Sequence, residues 1–598
     1  GTKKKVTTPE ESLMSKYGIN SLQAIAVRIS TIRLNMCLVE GPPGTGKTNT
    51  IKSIIQEFLE KVHAVGSWSR NCNPILVCAP SNAALDNIID RLGDDILGDL
   101  AVRLGRSDGG SSTVKRILLD SQVEQLSHSA HGNHALKTDV LMSKKIIFST
   151  LNTCATLRHT LQAVWEKKPL SFSAVILDEA SQCTEPSCLI PLTFDSERII
   201  MLGDPLQLGP TVLHRDGENL NLYHRSMMTR MLECIESESD PDKPPPDLYS
   251  VFLQEEYRMH PSLVELANAL VYSQRNKALI AREFHGQCFD LNACMLGSKP
   301  CRTINLVSLT NDTSQQSGTS KANEDQANLV ISLCEGLNRV WRMKSGATPL
   351  NVGIVAPYKA QERRICLRRN MRRSLLSKLN IHVNTADGFQ GQESDLIIIS
   401  LVSTDSVSAF LRDRARMNVM LTRARCGIWI IGSKKVFRLE PWYEVRRFAV
   451  SEGAAEHATI FEGTIEEMKK LVESLRLGEE PSAQSSHSHS HSHSHSHSHS
   501  HQHHHHHPVA SSSSASAISL PGAQFLGSGR GSKPSRPPPP PPRRHREPPN
   551  VKAQQRLKHS VAFKSNVGTS PLSGRATEHQ FLASGFSDSP QRKRPKNG

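Results

Sequence analysis

No two of the thirteen cysteines stand at CxxC spacing, their number is odd, and none falls beyond Cys426. That excludes a zinc site built on cysteine pairs and argues against a disulfide framework; free thiols in a reducing compartment fit the scatter. No apolar run approaches the ~20 residues of a membrane span, and no charged-then-apolar leader opens the chain. The expectation is a soluble intracellular protein with no membrane partner. Bulk charge is also scarce in the body of the chain. Residues 481–598 hold 15 Lys+Arg against 3 Asp+Glu, so +12 of the formal +15 lies there and only +3 (15 − 12) belongs to the first 480 residues. Whole-chain charge therefore says little about what the body binds. The chain opens at Gly1 without an initiator Met, and is expected to be a fragment or a processed product.

At 598 residues the chain exceeds one domain and can fill two compact lobes. Short apolar runs alternate with longer amphipathic stretches: 36–39, 75–78, 145–148, 175–177 and 199–202, then 352–355, 396–401 and 428–431. Buried parallel strands with crossover helices give that rhythm, so the fold class is α/β with parallel sheets. A stretch rich in Asp, Ser and Pro at 237–246 separates the two sets. It divides a first lobe, 1–245, from a second, 246–480. Residues 91–143 lack the rhythm, carry a predicted helix at 114–128, and read as an insertion on the first lobe. Beyond 480, Ser alternates with His, then come His503 to His507, a Ser run and Pro537 to Pro542. Nothing there can bury a core, and 481–598 is predicted to be disordered.

Gly41-Pro42-Pro43-Gly44-Thr45-Gly46-Lys47-Thr48 fits GxxxxGK[ST], follows the apolar run 36–39 and opens a helical stretch at 49–61. In that context the pattern is a phosphate loop. Its glycines let backbone N–H groups cradle phosphates, Lys47 neutralises their charge, and the Thr48 hydroxyl is placed for Mg²⁺. The complementary carboxylates close another apolar strand, Val175-Ile176-Leu177-Asp178-Glu179-Ala180. Asp178 would hold Mg²⁺ through water, and Glu179 would orient and deprotonate the attacking water. An isolated Asp-Glu pair is usually an exposed strand end; downstream of a phosphate loop the odds reverse.

Further segments fall in order along the chain: Asn20-Ser21-Leu22-Gln23, Ala79-Pro80-Ser81-Asn82, Asp178-Glu179-Ala180-Ser181-Gln182, Gly203-Asp204-Pro205-Leu206-Gln207, Glu256-Tyr257-Arg258-Met259-His260-Pro261, Val355-Ala356-Pro357-Tyr358, Asp387-Gly388-Phe389-Gln390-Gly391-Gln392-Glu393 and Asn418-Val419-Met420-Leu421-Thr422-Arg423. Together they resemble the motifs of the superfamily 1 RNA/DNA helicases, in the group containing senataxin and the nonsense-mediated-decay helicase. Gly203-Asp204-Pro205 and Pro210-Thr211-Val212 lean towards the former and Thr184-Glu185-Pro186 towards the latter; the former is favoured.

The resemblance implies two RecA-like lobes with ATP in the cleft between them. Gln23 would read the adenine edge and Tyr257 would stack on the base. Gln207 is similar to the family's γ-phosphate sensor. Arg258 and Arg423 match arginines that enter from the second lobe to stabilise the transferring phosphoryl group, and Glu393 matches a nucleotide-contacting residue. The strand would lie across the top of both lobes, against Pro80, Ser81, Asn82, Thr150, Pro357, Tyr358 and Thr385, with little sequence preference; the plainer role for these Ser, Thr and Asn residues is loop capping. The chain departs from the pattern at Glu256, where Gln is usual, and at Ala415-Arg416, where an Arg pair is usual; both are expected to tune rates. The accessory barrel that normally precedes the first motif has only about nineteen residues to occupy here.

The activity the resemblance implies is an ATP-dependent, 5′-to-3′ translocase or helicase on single-stranded RNA, DNA or hybrids, working as a monomer. The alternative is an ATP-gated clamp that remodels protein–RNA complexes without separating strands. The His run is expected to be a repeat expansion more than a metal site, the Pro run a candidate ligand for an aromatic groove, and Arg592-Lys593-Arg594-Pro595-Lys596 a nuclear-import signal or a phosphate tether.

Overall fold

The computed structural model describes residues 8–477 apart from 33–35, 65–72, 108–109, 127–132, 161–170, 213–223, 238–247, 284–290, 292–293, 318–319 and 342–347. The tail, with its His, Pro and basic segments, and most of the 237–246 stretch lie outside the described residues.

Seven strands form the first sheet: β1 (Met36–Glu40), β2 (Ile75–Ala79), β3 (Ala101–Arg103), β4 (Ile146–Thr150), β5 (Ala174–Leu177), β6 (Ile199–Gly203) and β7 (Leu248–Phe252). All pair in parallel, in the order β3-β4-β2-β5-β6-β1-β7. Their near-continuous apolar sequences follow from burial on both faces. Alternate residues point to opposite sides. Val39, Val77, Phe148, Ile176 and Leu202 enter one core, with Ile54 and Phe58 of the helix Lys47–Ala64; Leu38, Leu76, Ile147, Val175 and Met201 enter the other.

The second sheet has six parallel strands: β8 (Ile304–Leu309), β9 (Leu350–Val355), β10 (Leu379–Asn384), β11 (Ser394–Ser400), β12 (Ala424–Ser433) and β13 (Ala458–Gly463), ordered β10-β9-β11-β12-β8-β13. It too lies between two cores: Val307, Ile354, Ile398 and Trp429 face one, and Leu306, Val355, Ile399 and Ile430 the other. The segment from Met259 to Tyr272 packs into the latter core, which attaches it to the second lobe.

The lobe boundary at 245 needs correction. Leu248–Phe252 pairs with β1, from Met36↔Leu248 to Glu40↔Phe252, so the first sheet continues past it. That strand was hidden because Tyr249 and Ser250 are exposed and only Val251 is buried. The stretch 91–143 likewise contributes more than an insertion, since β3 extends the sheet beyond β4. Arg103 is buried there, its Nε 2.7 Å from Asp86 Oδ1. The helix expected at 114–128 is two, Ser112–Ile117 and Leu119–Leu126, broken where Leu118 bridges to Arg103. Among the described residues no helix is long and apolar enough to cross a membrane. Among the described residues ten cysteines form no disulfide, but Cys426 is disulfide-bonded, so the all-thiol expectation fails at that position.

Candidate active site

The phosphate loop leaves β1 and turns at Gly44 and Gly46, whose φ values of 74° and 83° lie in the left-handed region. Contact reinforces that requirement. A Cβ on Gly44 would come within 1.8 Å of Glu256 Oε1, and one on Gly46 within 2.3 Å of Gln23 Nε2. Thr45 Oγ1 donates to Pro42 O at 2.7 Å, closing the loop. Lys47 and Thr48 begin the helix Lys47–Ala64, so the loop and that helix's unpaired N–H groups form an anion cradle. Lys47 Nζ donates to the carbonyls of Gly41 and Pro42.

Asp178 and Glu179 follow β5, their backbone anchored by Asp178 N donating to Cys78 O at 2.8 Å. Asp178 is buried and its Oδ1 has no hydrogen-bond partner. Burial, helped by the charge of Glu179, pushes its pKa up to about 7 against the pull of Lys47. A buried, unpartnered carboxylate oxygen on a cleft that Thr48 also lines suits a divalent cation. Among the described residues no group of three or more His, Cys, Asp or Glu converges. A cation there would draw most of its ligands from water and phosphate, as Mg²⁺ does. Glu179 has φ 50°, a strained conformation for a non-glycine residue. Gln182 Nε2 fixes its carboxylate, donating to Oε2 at 2.8 Å.

Opposite these groups stand residues of the second lobe. Arg423 is buried in the helix-to-strand turn that opens β12. Its Nη2 reaches Gln207 Oε1 at 3.3 Å and Nε donates to Val419 O at 2.9 Å. Among the described residues no carboxylate pairs with it. Burial first, then the charge of Arg258, lowers its pKa to about 10. Arg258 Nε lies 2.6 Å from Glu393 Oε2. Burial raises Glu393, but the charges of Arg258 and Arg425 outweigh it and hold the carboxyl below its ordinary range.

A cleft of about 570 Å³ unites these parts, lined by Gln23, Pro42, Pro43, Gly44, Gly46, Lys47, Thr48, Asp178, Glu179, Gln207, Tyr257, Arg258, Glu393 and Arg423. Gly41 and Thr45 complete the loop behind that lining. Tyr257, 43% exposed, offers its ring at the mouth; its OH accepts from Asn20 Nδ2 at 2.9 Å and donates to Glu255 Oε2 at 2.6 Å. Gln23 is more committed than expected. Its Oε1 accepts from Asn20 N as half of a helix capping box, and its Nε2 donates to Thr45 O at 3.0 Å, leaving one amide hydrogen free.

Residues expected against a strand lie just past the carboxyl ends of neighbouring strands. Pro80, Ser81 and Asn82 follow β2, and Thr150 ends the adjacent β4. Pro357 and Tyr358 follow β9, and Thr385 follows the adjacent β10. Several also serve the fold. Ser81 caps the helix Asn82–Leu92, Asn82 Oδ1 accepts from Arg103, Thr150 Oγ1 accepts from Thr153 N, and Thr385 Oγ1 accepts from Gly388 N. Tyr358 OH pairs with Ser408 Oγ at 2.6 Å.

Two features were not anticipated. Tyr272 OH donates to Asp204 Oδ2 at 2.7 Å and accepts from Asn418 Nδ2 at 3.0 Å, while Gln207 Nε2 donates to the same Asp204 oxygen at 2.9 Å. This buried network joins the two lobes behind Gln207. Asp204 and Asn418 stood unassigned inside recognised motifs; Tyr272 sits in an ordinary apolar stretch with no local signal. The second is the setting of Glu256, fully buried, accepting from Arg258 N at 2.9 Å and from Met259 N. Burial pushes its pKa from 4.5 to about 7, against those N–H groups and the charge of Arg258. A folded-state value above the unfolded one means that its contribution to stability is complete below about 4.5 and is lost as pH rises through about 7. Glu256→Gln cannot ionise. Urea unfolding should show the variant gaining on the wild type by up to about 3 kcal/mol between pH 4.5 and pH 8, and a pH-independent difference would show that the carboxyl is not held neutral.

Two family models, each described as an AAA domain, match the chain, one over residues 18–138 and 127–215 and the other over 223–435. Helicase SEN1 of Saccharomyces cerevisiae is 29% identical over 71% of this chain and 23% of that protein. The Regulator of nonsense transcripts 1 homolog of Arabidopsis thaliana is 28% identical over 76% of this chain and 35% of its own length. ATP-dependent helicase NAM7 of S. cerevisiae is 30% identical over 72% and 43%. The chain thus spans less than half of these relatives, and the three identities do not separate the two branches. Among solved structures, the PRRSV helicase aligns with a TM-score of only 0.31, at 14% identity over 69% of this chain and 54% of that one. Matched by AAA-domain models on both lobes and by these relatives over most of its length, the chain belongs to the superfamily 1 helicases, in the group that includes Helicase SEN1 and the regulators of nonsense transcripts.

Proposed function

We propose that the chain is an ATP hydrolase driven by single-stranded nucleic acid, which moves along the strand and separates duplexes or hybrids in RNA processing or surveillance. The observation that carries this reading is one cleft in which the phosphate loop, Asp178 and Glu179 of the first lobe face Arg258 and Arg423 of the second. Glu179, held by Gln182, takes the proton of the attacking water. Lys47 and the loop N–H groups hold the phosphates, and Arg423 and Arg258 answer the charge that develops on the transferring group. Mg²⁺, held by Thr48 and Asp178, would supply charge neutralisation across the phosphates. Gln207, touching both Asp204 and Arg423, reports the state of the third phosphate to the lobe contact. The strand lies against the loops beyond β2, β4, β9 and β10. Travel 5′ to 3′, action as a monomer, residence in the nucleus and protein contacts through the tail belong to the same proposal, supported by the family and by the basic terminus.

The test is ATP turnover with and without single-stranded RNA or DNA, beside Lys47→Ala, and displacement of a labelled strand from duplexes tailed at either end. Stimulation by a strand of at least tenfold, lost in the variant, is the expected result. Turnover indifferent to any strand would sink the proposal. Stimulation without displacement would favour the ATP-gated clamp.

A further inference from the structure

Residues 359–378 carry eight Lys+Arg (Lys359, Arg363, Arg364, Arg368, Arg369, Arg372, Arg373 and Lys378) against one acid, Glu362, a net of +7. The first 480 residues sum to +3, so everything else in the body of the chain nets −4 (3 − 7). One helix, Lys359–Met371, with the turn after it, thus holds the concentrated positive charge of an otherwise acidic body. Some of it is spent internally. Lys359 pairs with Glu362, Arg364 and Arg368 share Glu324, and Arg372 lies 3.8 Å from Glu335. Among the described residues Arg363, Arg369, Arg373 and Lys378 have no carboxylate partner, and Arg363 and Arg373 are exposed. The same surface exposes Leu367 (65%), Met371 (82%) and Leu375 (49%). Residues four apart share a helix face, so Lys359, Arg363, Leu367 and Met371 form one stripe.

We infer that this stripe, with Arg372 and Arg373 at its far end, is a second binding surface for single-stranded nucleic acid, carrying the strand from Tyr358 down the side of the second lobe. The inference rests on the proposed strand path, because Tyr358 is both an expected strand contact and the residue from which this helix starts. The thirteen-residue helix runs about 20 Å, room for about six nucleotides at the ~3.4 Å stacked spacing. Unpaired arginines answer phosphates. The interleaved Leu367 and Met371 answer the exposed base and sugar surfaces that a single strand presents; a duplex hides its base faces and would leave those side chains in water. Continuity with the strand path favours a strand over an acidic protein segment.

The test is the triple variant Arg363→Gln, Arg372→Gln, Arg373→Gln, with binding of an 8-nucleotide and a 20-nucleotide strand followed by fluorescence anisotropy across a salt series, and thermal melting as the control for folding. The expected result is an unchanged melt, 20-mer affinity weakened on the order of tenfold with its salt slope reduced by about 2, and 8-mer affinity little changed. Equal weakening at both lengths overturns the inference, as does unchanged affinity at both. Unchanged strand affinity with lost binding to poly-glutamate overturns it in favour of an acidic protein partner. A wild-type chain that binds neither strand removes this inference and the proposed function together, whereas wild-type binding that the variant matches removes this inference alone.

Discussion

Glu179→Gln should lower strand-stimulated ATP turnover by about 10²–10⁴-fold, the range of a positioned general base, and leave nucleotide binding within a few-fold of wild type. The two side chains are nearly isosteric, and a Gln carbonyl oxygen can still accept from Gln182 Nε2, which now lies 2.8 Å from Glu179 Oε2. The strained backbone at φ 50° should persist as well, since the next residue begins a short buried turn, Ala180–Gln182. What is lost is the ability to take a proton. Steady-state turnover beside equilibrium binding of a fluorescent ATP analogue separates these effects. A variant keeping more than a tenth of the activity would move the base elsewhere, and Asp178, with its pKa near 7, would be next in line.

Arg423→Ala should cost about 10³-fold or more in kcat, because a guanidinium aimed at a transferring phosphoryl group is worth about 10³–10⁵ in rate, with a much smaller change in KM. Such a loss often has a trivial cause: a buried arginine is removed and the protein unfolds. Here the two explanations separate. Among the described residues no carboxylate pairs with Arg423, so removal strands no opposite charge, the usual source of a large penalty. Burial already disfavours its charged form, lowering the pKa to about 10. The lost hydrogen bonds to Val419 O, Thr422 Oγ1 and Gln207 Oε1 should cost about 1–3 kcal/mol for each acceptor left dry, and less where water fills the space the guanidinium leaves. Thermal melting of the nucleotide-free variant should therefore shift modestly while turnover collapses. A melt that drops in proportion to activity would make Arg423 a structural residue.

Much of the architecture was legible because buried parallel strands write themselves as apolar runs. The eight anticipated runs are all strands, including β1, β2 and β4 through β6. Strands that miss the pattern were lost for physical reasons. β3 has only three residues and ends on a buried arginine, β7 is an edge strand with two exposed residues, and β10 alternates around Asn380 and His382 at the opposite edge of its sheet. The chemistry of the cleft was legible where several residue types must coincide at fixed spacing, as in Gly41 to Thr48. A residue acting across the lobes leaves no such trace. Tyr272 reaches Asp204 over 68 positions, and Glu256 showed only as a departure from a pattern, without its burial against Gly44. Gln23 and Ser81 show the converse: the recognised side chain is present but shares its hydrogen bonds with a helix cap.

Three hydrogen bonds cross between the lobes at the buried network: Tyr272 OH to Asp204, Asn418 Nδ2 to Leu206 O at 3.0 Å, and Arg423 Nη2 to Gln207. Gln207 donating to Asp204 and Asn418 donating to Tyr272 tie the three together, so none can open far without the others, and each buried group left alone costs about 1–3 kcal/mol. Half-open arrangements are penalised as heavily as open ones without the relief that water brings. The lobes therefore part by snapping and not by sliding: the joint has two positions and no resting place between them.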